Sequence, residues 1–163
     1  MFSMRAILTI LTCLLFSTLA LAQATPKSPS LNFLYSLNCT LGPALQVGGG
    51  PIGTRTVIPI TGGTFSGPRL SGKVLNLGAD WGLTDSKGLF SADTRYQLQT
   101  NDGAHIFIRT SGPTQSDGYI HLRIQFETGS SKYYWLNNII AVGILKAGAG
   151  GVAIDAWELV SPK

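Results

Sequence analysis

The sequence predicts an all-β fold of antiparallel strands, arranged as a barrel or a sandwich. Three observations predict it. Beyond residue 22, no apolar period of 3.6 is sustained over a helix-length window. Apolar and polar residues instead alternate in short runs. Those runs are separated by glycine-rich turn signals at residues 48–53, 62–63, 101–103, 112–118 and 147–151.

The elements follow in chain order. Residues 1–22 read as a secretory signal peptide: a positive start, an apolar run from Ala6 to Leu19, and the small-x-small motif Ala20-Leu21-Ala22. The run is shorter than the roughly 20 apolar residues that span a bilayer. Cleavage after Ala22 leaves 141 of the 163 residues, enough for one domain with its own core. Residues 23–30 form a flexible leader with two prolines, and residues 31–163 form the folded domain. The expected location is secreted and extracellular. Strands are expected near residues 31–41, 55–60, 62–67, 69–76, 93–100, 104–110, 119–128, 137–145 and 151–160. Residues 132–138, KYYWLNN, read as a short helical or irregular cap.

On the first strand, Leu31, Phe33, Tyr35, Leu37, Cys39 and Leu41 share one face, and Asn38 points to the other. Asn38-Cys39-Thr40 is a sequon, so Asn38 is a candidate glycosylation site. Cys13 leaves with the signal peptide. The remaining cysteine, Cys39, can form neither an internal disulfide nor a thiolate metal cluster and reads as a small buried hydrophobe.

The central hairpins can be registered. A three-residue loop at Asn101-Asp102-Gly103 pairs Leu98 with Ile106 and Tyr96 with Ile108, whereas a two-residue loop mixes polar and apolar residues on each face. Pairing Arg109 with Tyr119 extends the pattern. One face then holds Tyr96, Leu98, Ile106, Ile108, Ile120, Leu122, Ile124 and Phe126, which is core. The other holds Arg95, Gln97, Gln99, His105, Phe107, Arg109, Tyr119, His121, Arg123, Gln125 and Glu127, with Arg95 directly opposite Arg109 and no acid between them. That face is either a solvated exterior, where water screens the like charges, or the lining of a polar cavity.

Several function classes receive no support. The mature chain carries 11 basic and 8 acidic residues spread singly, too small an excess to expect nucleic acid. His105 and His121 lack a third ligand, so no metal is expected. Ser66 and Ser71 lack a nucleophile elbow, and the glycine runs lack a following helix to cradle phosphate. No cofactor is expected, and no membrane contact after signal cleavage. An edge strand would suit pairing with a second copy as a homo-oligomer.

From Leu31 onward the chain carries Gly53-Thr54-Arg55, Pro59-Ile60, Gly62-Gly63, Phe65-Ser66-Gly67-Pro68 and Lys73-Val74-Leu75. Gly78-Ala79-Asp80-Trp81, Arg95-Tyr96, Asp102-Gly103-Ala104, Phe126-Glu127-Thr128-Gly129 and Trp135-Leu136-Asn137 follow. In this combination the chain resembles the DUF3237 (UPF0311) family of small β-barrel proteins. It departs from that pattern in a short turn between the strands ending near Arg109 and starting near Tyr119, and in Leu77, where a glycine is common. The resemblance implies a single antiparallel β-barrel with short loops and little helix.

In that context Asp80 and Glu127 are the candidate catalytic carboxylates facing a cavity, with Asp80-Trp81 both ending a strand and rimming that cavity. Arg55, Arg95 and Arg109 are their candidate partners or an anion clamp. Trp81, Tyr134 and Trp135 are candidate walls for a ring-bearing ligand. Asp93 reads as a cap where its strand begins, and Asp102 as a turn residue. Three functions fit. The first is a secreted barrel binding a small, partly aromatic or anionic molecule in a polar-lined cavity. The second is a cofactor-independent isomerase, lyase or cyclase using carboxylate acid/base chemistry. The third is an interaction module of the cell surface or wall.

Overall fold

The alternation becomes nine antiparallel strands in a computed structural model that describes residues 25–162. They are β1 (Ser30–Leu41), β2 (Leu45–Gly50), β3 (Gly53–Ser66), β4 (Ser71–Thr84), β5 (Phe90–Thr100), β6 (His105–Pro113), β7 (Ile120–Glu127), β8 (Ala141–Gly148) and β9 (Gly151–Val160). The KYYWLNN segment contributes a 3-10 helix, Tyr134–Asn138. Strands β3 to β9 follow one another around the sheet, and β1 pairs with β9 on one side and β3 on the other, closing an eight-stranded barrel. The expected signal peptide lies outside the described residues. Residues 25–29 of the expected leader carry no strand and are exposed.

The hairpin register stands as the sequence requires. Leu98 faces Ile106, Tyr96 faces Ile108 and Arg95 faces Arg109, while Gly103 takes φ 90° in the turn. Pairing Arg109 with Tyr119 is not what forms. β6 runs on to Pro113, and Arg109 lies opposite Gln125. The slip is an even number of residues, so every side chain keeps its expected face. The Leu98–Phe126 set points inward and the arginine set outward, making the second face a solvated exterior.

Bulges account for the other departures. The expected strands 55–60 and 62–67 are one strand, β3, interrupted between Pro59 and Gly63. A Cβ on Gly63 would sit 2.0 Å from the Asn38 carbonyl oxygen, so only glycine lets β1 close against β3 here. On β1 an irregularity between Phe33 and Tyr35 turns Leu34 inward and leaves Leu31 and Phe33 outside, Phe33 meeting Trp157 edge-on. β4 does not end at Asp80-Trp81. It passes through an irregularity between Val74 and Gly78 and continues to Thr84. The added strand, β2, pairs with the first half of β3, and among the described residues its other edge, beside exposed Leu45 and Val47, is unpaired.

The two ends of the barrel differ. At one, the 3-10 helix buries Leu136, and just before it Tyr133, in the apolar core that also holds Leu34, Tyr35, Phe65 and Leu70. Asn137 fastens this plug: its Oδ1 accepts from the Thr128 N–H and its Nδ2 donates to the Thr128 carbonyl, both at 2.9 Å. The Thr128 hydroxyl donates in turn to the His105 carbonyl at 2.7 Å. At the other end no such cap covers the interior among the described residues.

Candidate functional site

The open end encloses a cavity of about 540 Å³. Strand parity decides what lines it. Along β4, Val74, Gly78 and Asp80 take inward positions, and Asp80 pairs with Thr94 of β5, which pairs with Thr110 of β6. Three adjacent strands therefore contribute one polar layer of Asp80, Thr94 and Thr110. One layer deeper, Gly78, Tyr96 and Ile108 stand in register. The rest of the wall is apolar: Leu37, Ile58, Ile60, Phe90, Ile120 and Leu145, with Cys39 among them. Glycines 118, 148, 150 and 151 are also among the lining residues.

Asp80 is the carboxylate of this cavity. Its Oδ1 accepts the Asp93 backbone N–H at 2.8 Å. Burial raises its carboxyl from the ordinary aspartate value, against the opposing pull of that N–H and of the Thr94 hydroxyl. The Asp93 charge adds to the rise, and the Arg55 charge works against it. Cys39, its thiol pushed up to about 11 by burial, is a neutral part of the wall rather than a thiolate nucleophile.

The other expected site residues are elsewhere. Glu127 stands exposed on the outer face opposite Phe107, so it does not face the cavity. Arg95 and Arg109 are also outside, and neither forms an anion clamp in the interior. The like charges are reconciled by Asp93, whose Oδ1 lies 3.3 Å from Arg95 Nη1 and 3.8 Å from Arg109 Nε. That carboxylate is therefore the acid missing between the two arginines rather than a cap. Trp81 lies beneath Arg95 at 5.6 Å from the ring centre, and Arg55 donates to the Trp81 backbone carbonyl. Tyr134 is exposed at the closed end, and Trp135 stacks there under Arg69 at 3.8 Å. Neither aromatic walls the cavity. Asn38 is exposed on β1 with Cys39 buried beside it, as their alternation requires. His105 bonds Gln99 at 3.1 Å, and among the described residues no three His, Cys, Asp or Glu side chains group as metal ligands.

Thr94, Thr110 and Tyr96 are the polar cavity-lining positions that sequence reasoning passed over. The signal was present: the register that pairs Tyr96 with Ile108 also pairs Thr94 with Thr110 two residues on, placing two hydroxyls on an otherwise apolar face.

The profile of DUF3237, described as a protein of unknown function, matches residues 29–118 and 112–159. The chain belongs to the DUF3237 family. Among relatives of this DUF3237 protein, the hydroalkoxylation enzyme phnH of Penicillium herquei is 36% identical over 118 residues, 72% of this chain and 75% of the relative. A UPF0311 protein of Rhodopseudomonas palustris is 28% identical over 145 residues, 78% of this chain and 95% of its own. Solved structures agree on the DUF3237 barrel. A β-barrel-like protein from Acinetobacter baumannii superposes with TM-score 0.78 at 39% identity, covering 84% of this chain and 99% of that one. An enzyme from Penicillium herquei superposes with TM-score 0.70 at 32% identity, covering 83% and 98%.

Proposed function

We propose that the open end binds an apolar small molecule and that Asp80 serves as its proton donor and acceptor in a cofactor-independent addition of a hydroxyl across a carbon–carbon double bond. The observation that carries this reading is one carboxyl, held protonated more readily than usual, inside a cavity whose other polar groups are uncharged. The Asp80 carboxyl gives its proton to one alkene carbon, leaving positive charge on the other. The ligand's own hydroxyl oxygen bonds to that carbon and returns its proton to the Asp80 carboxylate. Atoms balance and the acid is regenerated. The name of the Penicillium herquei relative supports the reaction class. The outward arginines argue for a neutral ligand over an anionic one.

The test uses 2-allylphenol and related ortho-alkenyl phenols, with cyclic ether formation followed by chromatography and mass spectrometry. Asp80→Asn is expected to lower turnover by about 100-fold or more, and Glu127→Gln to leave it unchanged. Equal turnover by Asp80→Asn and the parent protein would refute the acid role. Binding of these phenols without any conversion would instead make the barrel a carrier. The barrel acts outside the cell in this reading, with Asn38 free to carry a glycan. Amino-terminal sequencing of exported protein and an endoglycosidase mobility shift test those two points.

A further inference from the structure

The cavity wall includes one phenol, Tyr96, with a second, Tyr35, buried in the core behind it, and the proton transfer uses neither. Tyr96 stands one layer below Thr94 on β5, about 7 Å further along the strand, and its side chain lines the cavity. Its neighbour on β4 is Gly78, so no side chain covers it from that side. Tyr35 approaches from β1, fully buried, its ring fixed edge-on against Phe65 at 5.7 Å and Phe126 at 6.3 Å. The two hydroxyls are close enough that each perturbs the other's ionisation. Neither has a hydrogen-bond partner of acceptable geometry.

Buried hydroxyls are almost always bonded, and an unbonded one is costly. If one phenol donates to the other, the pair uses a single proton and leaves one O–H without an acceptor. Tyr35 is sealed in the core and the Tyr96 hydroxyl oxygen is itself buried, but Tyr96 borders the cavity, so an acceptor approaches from that side.

We propose that the Tyr96 hydroxyl, backed by Tyr35, is a binding group for an uncharged acceptor oxygen, a carbonyl oxygen above all, at the leading end of the ligand. The proposal rests on the open end being a ligand site and adds a substrate class to it. The molecule is neutral and apolar. Its oxygen is seated deep, and its reacting carbons lie a layer higher, beside Asp80. A carboxylate would be disfavoured there, because the floor offers phenols and no cation.

Two nearly isosteric probes test this, acetophenone and α-methylstyrene, in which CH2 replaces the carbonyl oxygen. Affinities are read by calorimetry or ligand-observed NMR on the parent protein, Tyr96→Phe, Tyr35→Phe and Asp80→Asn. Tyr96→Phe should weaken acetophenone by about tenfold and leave α-methylstyrene within about twofold. Tyr35→Phe should show the same selectivity with a smaller loss, about threefold, which keeps the test alive should Tyr96→Phe misfold. The carbonyl stretch of bound acetophenone should sit at lower wavenumber in the parent protein and shift back in Tyr96→Phe. Equal effects on both probes, or an unmoved carbonyl band, would overturn the assignment. If the parent binds neither probe, the ligand-site reading falls with it. If both probes bind but Asp80→Asn retains turnover, only the acid assignment fails.

Discussion

The two ends of this barrel are built from the same strands and do opposite things. At the closed end, Leu136 and Tyr133 fill the interior, and the polar groups nearby serve to hold them: Asn137 on Thr128, Thr128 on His105. At the open end, the inward positions hold an acid, two threonines and a phenol around a cavity that glycines also line. The difference lies in how polar groups are satisfied. At the plug, the Asn137 amide and the Thr128 and Tyr133 hydroxyls bond within the chain, whereas the buried hydroxyls of Tyr35 and Tyr96 have no partner of acceptable geometry among the described residues. Stability is concentrated at one end and unsatisfied chemistry at the other.

The contrast can be broken first from the closed end. Leu136→Ala should cost about 3 kcal/mol in denaturant unfolding, because the removed atoms leave a void the surrounding barrel cannot collapse into. Nearly as large, and confined to the open end, is the loss of turnover in Asp80→Asn, about 100-fold or 2.7 kcal/mol in transition-state stabilisation. That variant should unfold with parent-like cooperativity. Asn137→Ala should cost about 2 kcal/mol, since it strands both the N–H and the carbonyl of Thr128. Ile120→Ala, at the cavity wall, should cost only about 1 kcal/mol, because its side chain is already incompletely packed. If Ile120→Ala proves as damaging as Leu136→Ala, the two ends are not energetically distinct.

The smallest effect is a difference in sign with pH. The Asp80 carboxyl has a raised folded-state pKa, chiefly from burial. Its stabilising contribution is present when it is protonated and is lost as pH rises through that pKa. Asp80→Asn should therefore gain on the parent in melting temperature as pH rises above the carboxylate range. Asp102, at the closed end, is held below its ordinary range by the Lys132 ammonium and the Thr100 hydroxyl, with Tyr133 adding to both. Its contribution is present above the unfolded pKa and fades as pH falls, so the parent and Asp102→Asn should converge in acid. The group is exposed, and the gap between them should be small and salt-sensitive.

Much of the barrel could be read from the chain because its central hairpin has one chemically consistent register. Arg95, Glu127 and their neighbours could be recognised as a polar face, but alternation alone does not say whether a polar face points into a barrel or out of it. Closure decides, and closure depends on β1 meeting β9 across almost the full length of the chain. Asp80 was assigned to the cavity through resemblance, since the strand from residue 69 reads as ending near 76. The interruption between Val74 and Gly78 leaves no mark in composition beyond one glycine, yet it preserves parity and so carries Asp80 to the same side as Val74. Tyr134 and Trp135 misled for a different reason: aromatic residues at a barrel end look alike whether they wall a cavity or seal one. The Asp93 carboxylate escaped notice because it reaches Arg95 and Arg109 along the strand and diagonally, not from the directly opposed position.

The seam between β1 and β9 carries one further implication. The first strand borrows one entire flank from the last, so a nascent chain emerging amino-end first must keep that flank open until nearly every residue has been made. Folding should be slow for the chain's size, as expected when the decisive contacts are the most distant in sequence. Removing β9 would undo the whole cylinder rather than fray one margin.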